Sequence, residues 1–533
     1  MRSRAYSLQS VTRLLLAAFL LQTQELPATL NVIPAASSET ISFTSSILDD
    51  MTLERGSIFV AGGDINNDSN LDVVSASTNP ILVIFLGKGL GSFKVPAFLS
   101  LPSEAPIVRQ FRHVTMADLN GDGDLDLAVT SHDDIFGPNS QCLKGILVLL
   151  GNGDGTFGSP AKYVTCGATQ ATDQPSTIVT GDFTADGIVD LALRNRQSVS
   201  ILPGFGDGTF GMQIDIILPT ESFTVPTQAL TTADLNGDGI LDLAVAGGAS
   251  LDNIVILLGH PNGLFLPPAS IFIPPPPGRT SRSEPVSVES ADFNGDAKLD
   301  LAVGLANSNG IAILLGNGDG TFGSSAYEAF GDNVISLATA DFNQDGKSDV
   351  GLAALGVGVR VLPGNGDGTF APALTIAEGP DFLARQVITR DVNNDQKPDL
   401  IASNFSFGVS IFLNTTITTL EISIDIKPGD FPNTIKLGSD GTVAVAILST
   451  PTFDATTVDP LTVTLAGAQL RLKRDGTPKA SFEDINGDGL LDLVVHVSTQ
   501  ALQLSQTDTE AVLEGQTLSG IPIRGTDSVR LVR

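Results

Sequence analysis

Seven times between Asp64 and Asp399 the chain repeats one nine-residue pattern, D-x-N-x-D-G-x-x-D, and each time an apolar run follows. The stretch "ADLNGDGDLDLAV", Ala117 to Val129, is a complete example. The copies begin at Asp64, Asp118, Asp182, Asp234, Asp292, Asp341 and Asp391, so the spacings are 54, 64, 52, 58, 49 and 50 residues. A recurring period of this length means that each unit is one small supersecondary element. Such a unit cannot bury its apolar face alone and must stack on its neighbours, which restricts the fold to a propeller, a solenoid or an array. An eighth copy begins at Asp484, 93 residues past the seventh and out of period. It is assigned to a separate domain.

The residues around the copies are those of strands. Short apolar runs alternate with Gly, Asn and Asp clusters, and no long stretch has helical periodicity. The chain is therefore all-β. Its 533 residues exceed one ordinary core, so more than one unit is expected.

Crowding carboxylates beside a buried strand needs a cause. Calcium takes six to eight hard oxygen ligands, which a tight loop can supply from alternate positions. Positions one, three, five and nine then give side-chain oxygens and position seven a backbone carbonyl. Glycine at position six permits the sharp turn. The candidate metal residues are Asp64, Asn66, Asp68, Asn70 and Asp72 in the first copy, and Asp118, Asn120, Asp122, Asp124 and Asp126 in the second. The third has Asp182, Thr184, Asp186, Ile188 and Asp190; the fourth, Asp234, Asn236, Asp238, Ile240 and Asp242. The fifth has Asp292, Asn294, Asp296, Lys298 and Asp300; the sixth, Asp341, Asn343, Asp345, Lys347 and Asp349. The seventh has Asp391, Asn393, Asp395, Lys397 and Asp399; the eighth, Asp484, Asn486, Asp488, Leu490 and Asp492. An EF-hand is excluded, because position twelve is Val129 or Val495 instead of an acid. Ser69, Ala297 and Gln396 replace the glycine and are expected to weaken their sites. The net charge of −30 excludes nucleic-acid binding by phosphate neutralisation, and eight bound divalent cations would roughly halve it.

A second motif follows the acidic loops. "LLGNGDGTF" ends at Phe157 and again at Phe322, "LPGFGDGTF" at Phe210 and "LPGNGDGTF" at Phe370; looser copies end at Phe93 and Phe265. Gly-Asp-Gly between apolar runs is a hairpin turn. No P-loop lysine or helix N-terminus follows, so the turn is not read as a phosphate cradle. Each unit then has four strands, and radial repetition of four-stranded units is a β-propeller. The paired motifs resemble FG-GAP repeats of the bacterial VCBS-like subtype, related to the propeller headpiece of integrin α subunits. The resemblance spans residues 41–415. It implies seven blades, with calcium between strands one and two on one face. The seventh unit lacks a Gly-rich turn and a fourth strand, whereas a spare segment, "ISFTSSILDD", precedes the first loop. That segment is expected to complete the last blade and close the ring.

From about residue 420 the pattern changes. Residues 420–533 resemble a C-terminal module of bacterial secreted proteins and are read as a small β-sandwich-like domain with one calcium loop. Arg2, Arg4 and Arg13 precede the apolar run Leu14 to Leu21, so residues 1–30 read as a secretory signal peptide. No membrane span is expected once it is removed, and the protein is expected as a secreted or cell-surface monomer. Cys142 and Cys166 each lie twelve residues from Asp154, at the centre of a Gly-rich turn. In a symmetrical antiparallel hairpin they would face each other within bridging range, so a disulfide is expected.

No motif for nucleophilic or zinc catalysis is present, and the four histidines are scattered. Two function classes follow. One is a calcium-binding adhesion module for an extracellular protein or glycan. The other is a calcium-dependent glycan-active enzyme such as a polysaccharide lyase. A lyase needs a base beside a cation, and no loop clusters one, so binding is favoured. The ligand is assigned to the face opposite the acidic loops, where the sequence varies. Its candidates are His132, Asp133 and Asp134, with Arg279 and Arg282 second.

Overall fold

The computed structural model describes residues 41–48, 57–77, 81–101, 108–134, 145–165, 175–195, 197–219, 230–247, 252–261, 263–276, 282–329, 331, 333–355, 357–378, 382–404, 408–416 and 419–532. The signal segment, Cys142, Cys166 and Arg279 lie outside them. Strands dominate; the helical pieces among the described residues are single turns at Ala455–Thr457 and Thr499–Ala501. No helix is long and apolar enough to cross a membrane.

Seven four-stranded antiparallel sheets form the blades of a propeller. Blade 2 is typical in order: Val108–Ala117 innermost, then Asp126–Asp134, Gly145–Leu149 and Ala161–Val164 outermost. The second and third strands of a blade are covered on both faces by neighbouring blades. That is why they read as unbroken apolar runs, "DLALR" and "SVSIL" in blade 3 being buried throughout. Outer strands, such as Ile214–Ile217, are half exposed.

The core is divided among the blade interfaces. One apolar cluster joins blades 1 and 2, through Phe59, Val74, Leu82, Phe111, Leu127 and Leu147. Similar clusters lie between each successive pair up to blades 6 and 7. A further cluster returns from blade 7 to blade 1, through Ile401, Val409, Ile411, Val60, Val73 and Val83. The ring is therefore closed.

Its closure is the one expected. Phe43–Leu48 pairs antiparallel with Gly408–Asn414 and is the outer strand of blade 7, whose other strands are Ala384–Arg390 and Asp399–Asn404. Phe43 packs edge-on against Phe342 of blade 6, with ring centroids 5.8 Å apart. In blades 4 and 6 that place belongs to the phenylalanine that ends the Gly-rich turn, Phe265 against Phe183 and Phe370 against Phe293. The N-terminal strand thus replaces both the missing strand and the missing aromatic ring.

Strands from Leu420 onward pair among themselves. A five-stranded sheet that includes Val458–Leu465, Glu510–Thr517 and Pro522–Ser528 faces a four-stranded one that includes Ile424–Ile426, Thr442–Ile447 and Asp492–Ser498. Val445, Ile447, Leu493 and Val495 of one meet Val463, Leu465, Leu513 and Ile523 of the other in a common core. This is a β-sandwich.

Candidate functional site

Each acidic loop is a run of side-chain-to-backbone bonds. In blade 2, Asp118 accepts the Gly121 and Gly123 N–H groups (2.7 and 2.9 Å), Asn120 accepts Asp122 N–H (3.0 Å) and Asp122 accepts Asp124 N–H (2.9 Å). This curls the chain so that oxygens of positions one, three and five lie on one short arc. Position nine does something the sequence reading missed. Asp126 is fully buried, and its two oxygens accept different backbone donors: Leu119 N–H at the start of its own loop (2.8 Å) and Gly151 N–H, the first glycine of the Gly-rich turn (2.7 Å). The same pair of bonds, at 2.6 to 3.0 Å, occurs at Asp72, Asp190, Asp242, Asp300, Asp349, Asp399 and Asp492. The second donor is a glycine in blades 1 to 6, Asn414 in blade 7 and Ser449 in the sandwich. The position-nine carboxylate is thus a staple between the two motifs, which explains why they travel together.

The Gly-rich turn in turn holds the preceding blade. Gly155, Gly208, Gly320 and Gly368 donate to the carbonyls of Ile65, Leu119, Leu235 and Phe293, at 2.9 to 3.2 Å. Blade 7 has no such turn, and there the Asn414 side chain donates to Phe342 O instead (2.8 Å).

Two backbone positions in each loop are left-handed, not the one expected. Position six has positive φ throughout, including Ser69 (65°), Ala297 (61°) and Gln396 (66°). Position four does too: Gly121, Gly237, Gly295 and Gly487 are permissive there, but Asn67, Ala185, Gln344 and Asn394 take the same conformation. The glycine of "NGDG" was the visible signal for it.

An ion at this arc would need the neutral oxygens as well as the acids. Among the described residues no three His, Cys, Asp or Glu side chains form a ready cage. Asn120, Asp122 and the carbonyl at position seven complete an all-oxygen set of the kind calcium prefers, so the donor chemistry fits that ion. The Asp124 side chain bonds Asn67 (2.7 Å), leaving its carbonyl as the contribution from position seven. Burial pushes the position-nine carboxyls of the seven blades up, to about 6 at Asp72, Asp242 and Asp399 and about 7 at Asp349, against the pull of their backbone bonds; at these four the acids at positions one and five add to the rise. A nearby cation favours the ionised form. In blades 5 and 6 the position-seven lysines approach the position-five acids, Lys298–Asp296 at 3.4 Å and Lys347–Asp345 at 3.5 Å.

At the opposite face the predicted cluster lies in different surroundings from those expected. His132, Asp133 and Asp134 are strand residues, paired with Gln110, Arg109 and Val108. The first two strands of blade 2 have ten and nine residues, the longest such pair in the propeller, so they continue past the other blades as a ribbon. The polarity of "SHDD" suggested a loop, but cross-strand pairing overrides it. Arg282 is exposed. The hairpin register assumed for the cysteines holds at the Gly151–Phe157 bridge but is one residue out where Val148 pairs with Ala161. The expected symmetry about Asp154 is therefore broken within the described strands, and the disulfide remains an expectation. Sequence reading also passed over Glu289, on the inner strand of blade 5, whose carboxyl burial raises to about 8.

Seven radial sheets joined by stapled acidic loops make this a β-propeller assembled from one repeated unit. The chain belongs to the FG-GAP-like repeat family, whose sequence pattern matches residues 64–129, 182–245, 234–303, 292–352 and 341–402, more than half of the chain. The matches leave out residues 130–181, which hold the end of the blade 2 ribbon and both cysteines. A search of curated proteins gave no match. Among solved structures, the chain is similar to an Agrocybe aegerita lectin described for specific recognition of non-reducing terminal N-acetylglucosamine. The two share 19% identity over 64% of this chain and 88% of that one, with a TM-score of 0.41.

Proposed function

We propose that the protein is a secreted binding module whose propeller recognises an extracellular glycan or protein, with calcium as a structural ion in the acidic loops. The observation that supports this is the contrast between its faces. On the acidic face, side-chain oxygens are spent in the same way in loop after loop, which suits a scaffold. The opposite face carries the variation, and from it blade 2 extends a ribbon bearing His132, Asp133 and Asp134. Binding sites concentrate on variable segments held by a rigid frame. Calcium is supported by the all-oxygen donor set and by the family's paired motifs. The disulfide between Cys142 and Cys166 belongs to the same reading, and two titratable thiols in the denatured, unreduced secreted protein would exclude it.

Two measurements test the reading. EDTA should lower the melting temperature, and calcium but not magnesium should restore it, because an ion held only by the folded state stabilises that state. An unchanged melting curve removes the structural-calcium part. A glycan and matrix-protein array should then give a ligand that is lost when residues 131–141 are replaced by a short Gly-Ser turn. Retention of that ligand, with loss in a folded variant of the acidic face, would reverse the assignment of faces.

A further inference from the structure

The inner strands carry one irregularity that recurs. In blades 1, 2, 5, 6 and 7 the pairing of the first two strands slips by one residue, and each slip falls six residues before the first aspartate of the acidic loop. The extra residues are Ile58, Arg112, Val286, Ile335 and Arg385. A β-bulge takes its extra residue out of the ladder and re-aims it. Because the inner strand ends in the acidic loop, this level lies toward the opposite face.

At that level the ring is uneven. Val286 and Ile335 are buried apolar residues, whereas Arg112 and Arg385 are half-buried. The two arginines stand on blades 2 and 7, on either side of blade 1. The wall between them is fixed. Val60 N–H of blade 1 donates to the Gln386 side chain of blade 7 (2.7 Å), and Phe59 of blade 1 lies against His113 of blade 2 (5.3 Å between rings). Each contact is made one residue from an arginine. Phe111 and Ala384, on the other side of each, are fully buried. Arg112 and Arg385 therefore hold the same register position on two inner strands flanking an ordered wall, in a chain whose net charge is −30. Both already have polar neighbours; a guanidinium carries five donors in a fixed fork and can serve a neighbour and a ligand together.

We propose that Arg112 and Arg385 form an anion subsite at the mouth of the ring on the face opposite the acidic loops, and that its ligand is a carboxylated glycan such as a uronic-acid chain. The subsite rests on the binding role assigned to that face above. Arginine matches a planar carboxylate with two parallel bonds. A protein partner would call for an apolar centre, and the exposed large apolar side chains toward this face, Leu355, Phe272, Ile217 and Ile47, are scattered over four blades. The chain has no Trp and three Tyr, so aromatic rings that also carry a polar handle are scarce, and the charged forks are the recognition element this site offers.

The test uses the full-length mature protein in calcium, titrated with a β-1,4-linked hexamer of glucuronic acid and with the neutral glucose hexamer of the same linkage. The acidic hexamer should bind, weaken as salt rises, and lose about tenfold or more in affinity with Arg112→Ala or Arg385→Ala. Arg→Lys variants should recover part of that loss, and melting curves should show all four variants folded. Equal binding of the neutral hexamer, or alanine variants that bind like the parent, overturns the subsite while leaving the binding role of the face intact. Binding of an oligoglutamate peptide in place of the sugar overturns the glycan class. A ligand lost on replacing residues 131–141 but indifferent to both arginines separates failure of the subsite from failure of the wider reading.

Discussion

The acidic loops of blades 2 and 7 fold alike from unlike residues. In blade 2, positions four and six are Gly121 and Gly123; in blade 7 they are Asn394 and Gln396, with the same signs of φ. Blade 1 resembles blade 7, with Asn67 and Ser69. The two loops that lack glycine at both positions lie where the ring closes, and the position-four amides of blades 6, 7 and 1 reach forward to the next blade. Gln344 of blade 6 donates to Gln396 O (3.4 Å), Asn394 of blade 7 to Ser69 O (3.2 Å), and Asn67 of blade 1 to Asp124 (2.7 Å). Three consecutive junctions, including the closing one, are bridged by a side chain that glycine lacks. The difference teaches that one backbone shape can be reached either by removing the steric cost or by compensating it across an interface.

The position-nine staple is common to both kinds of loop, so its removal should erase the contrast. Asp126→Ala and Asp399→Ala each leave two backbone N–H groups without acceptors and should each cost about 2–5 kcal/mol in urea denaturation. A much smaller loss at Asp399 would mean that the Asn414 junction is held by something else. The glycines come next. A Cβ at Gly123 meets nothing within 4 Å, and one at Gly121 meets Gly206 O at 3.8 Å. Gly121→Ala and Gly123→Ala should therefore cost only the left-handed penalty, about 1–2 kcal/mol each. The reverse changes at the seam, Ser69→Gly and Gln396→Gly, should stabilise by up to about 1 kcal/mol; a loss in both would show that their side chains carry more than strain. The smallest effect belongs to the amides. Asn394→Ala should cost about 0.5–1 kcal/mol by removing an exposed interblade bond, and Gly121→Asn in blade 2 should bring no comparable gain.

Much of this architecture is legible in the sequence because it follows from repetition and burial. The period defines the blades, and "LDLAV" and "ILVLL" read as strands covered on both sides. The spare segment before Asp64 predicts the closing strand, because blade 7 visibly lacks one. The staple was not legible. That Asp492 bonds the N–H of Ser449, 43 residues earlier, depends on how two strands lie in space. Nor does "SHDD" announce a strand, since four polar residues in a row show no alternation and only the pairing with Val108 to Phe111 makes them one. The one-residue slip in the hairpin after Asp154 leaves no mark in composition, yet it decides which side chains face each other.

The closing strand also fixes an order of assembly. Ser42 and Thr416, joined by a hydrogen bond, are 374 residues apart. As the chain is made from its N-terminus, Phe43–Leu48 emerges before the other propeller strands and is among the last of them to find its partner. The entropy of joining such distant points rises only logarithmically with chain length, and six completed blades hold the two ends close together. Until then Gly408–Asn414 is an open edge that could accept a strand from any neighbouring molecule. Vectorial synthesis thus makes the final step of this ring a choice between its own beginning and another chain's.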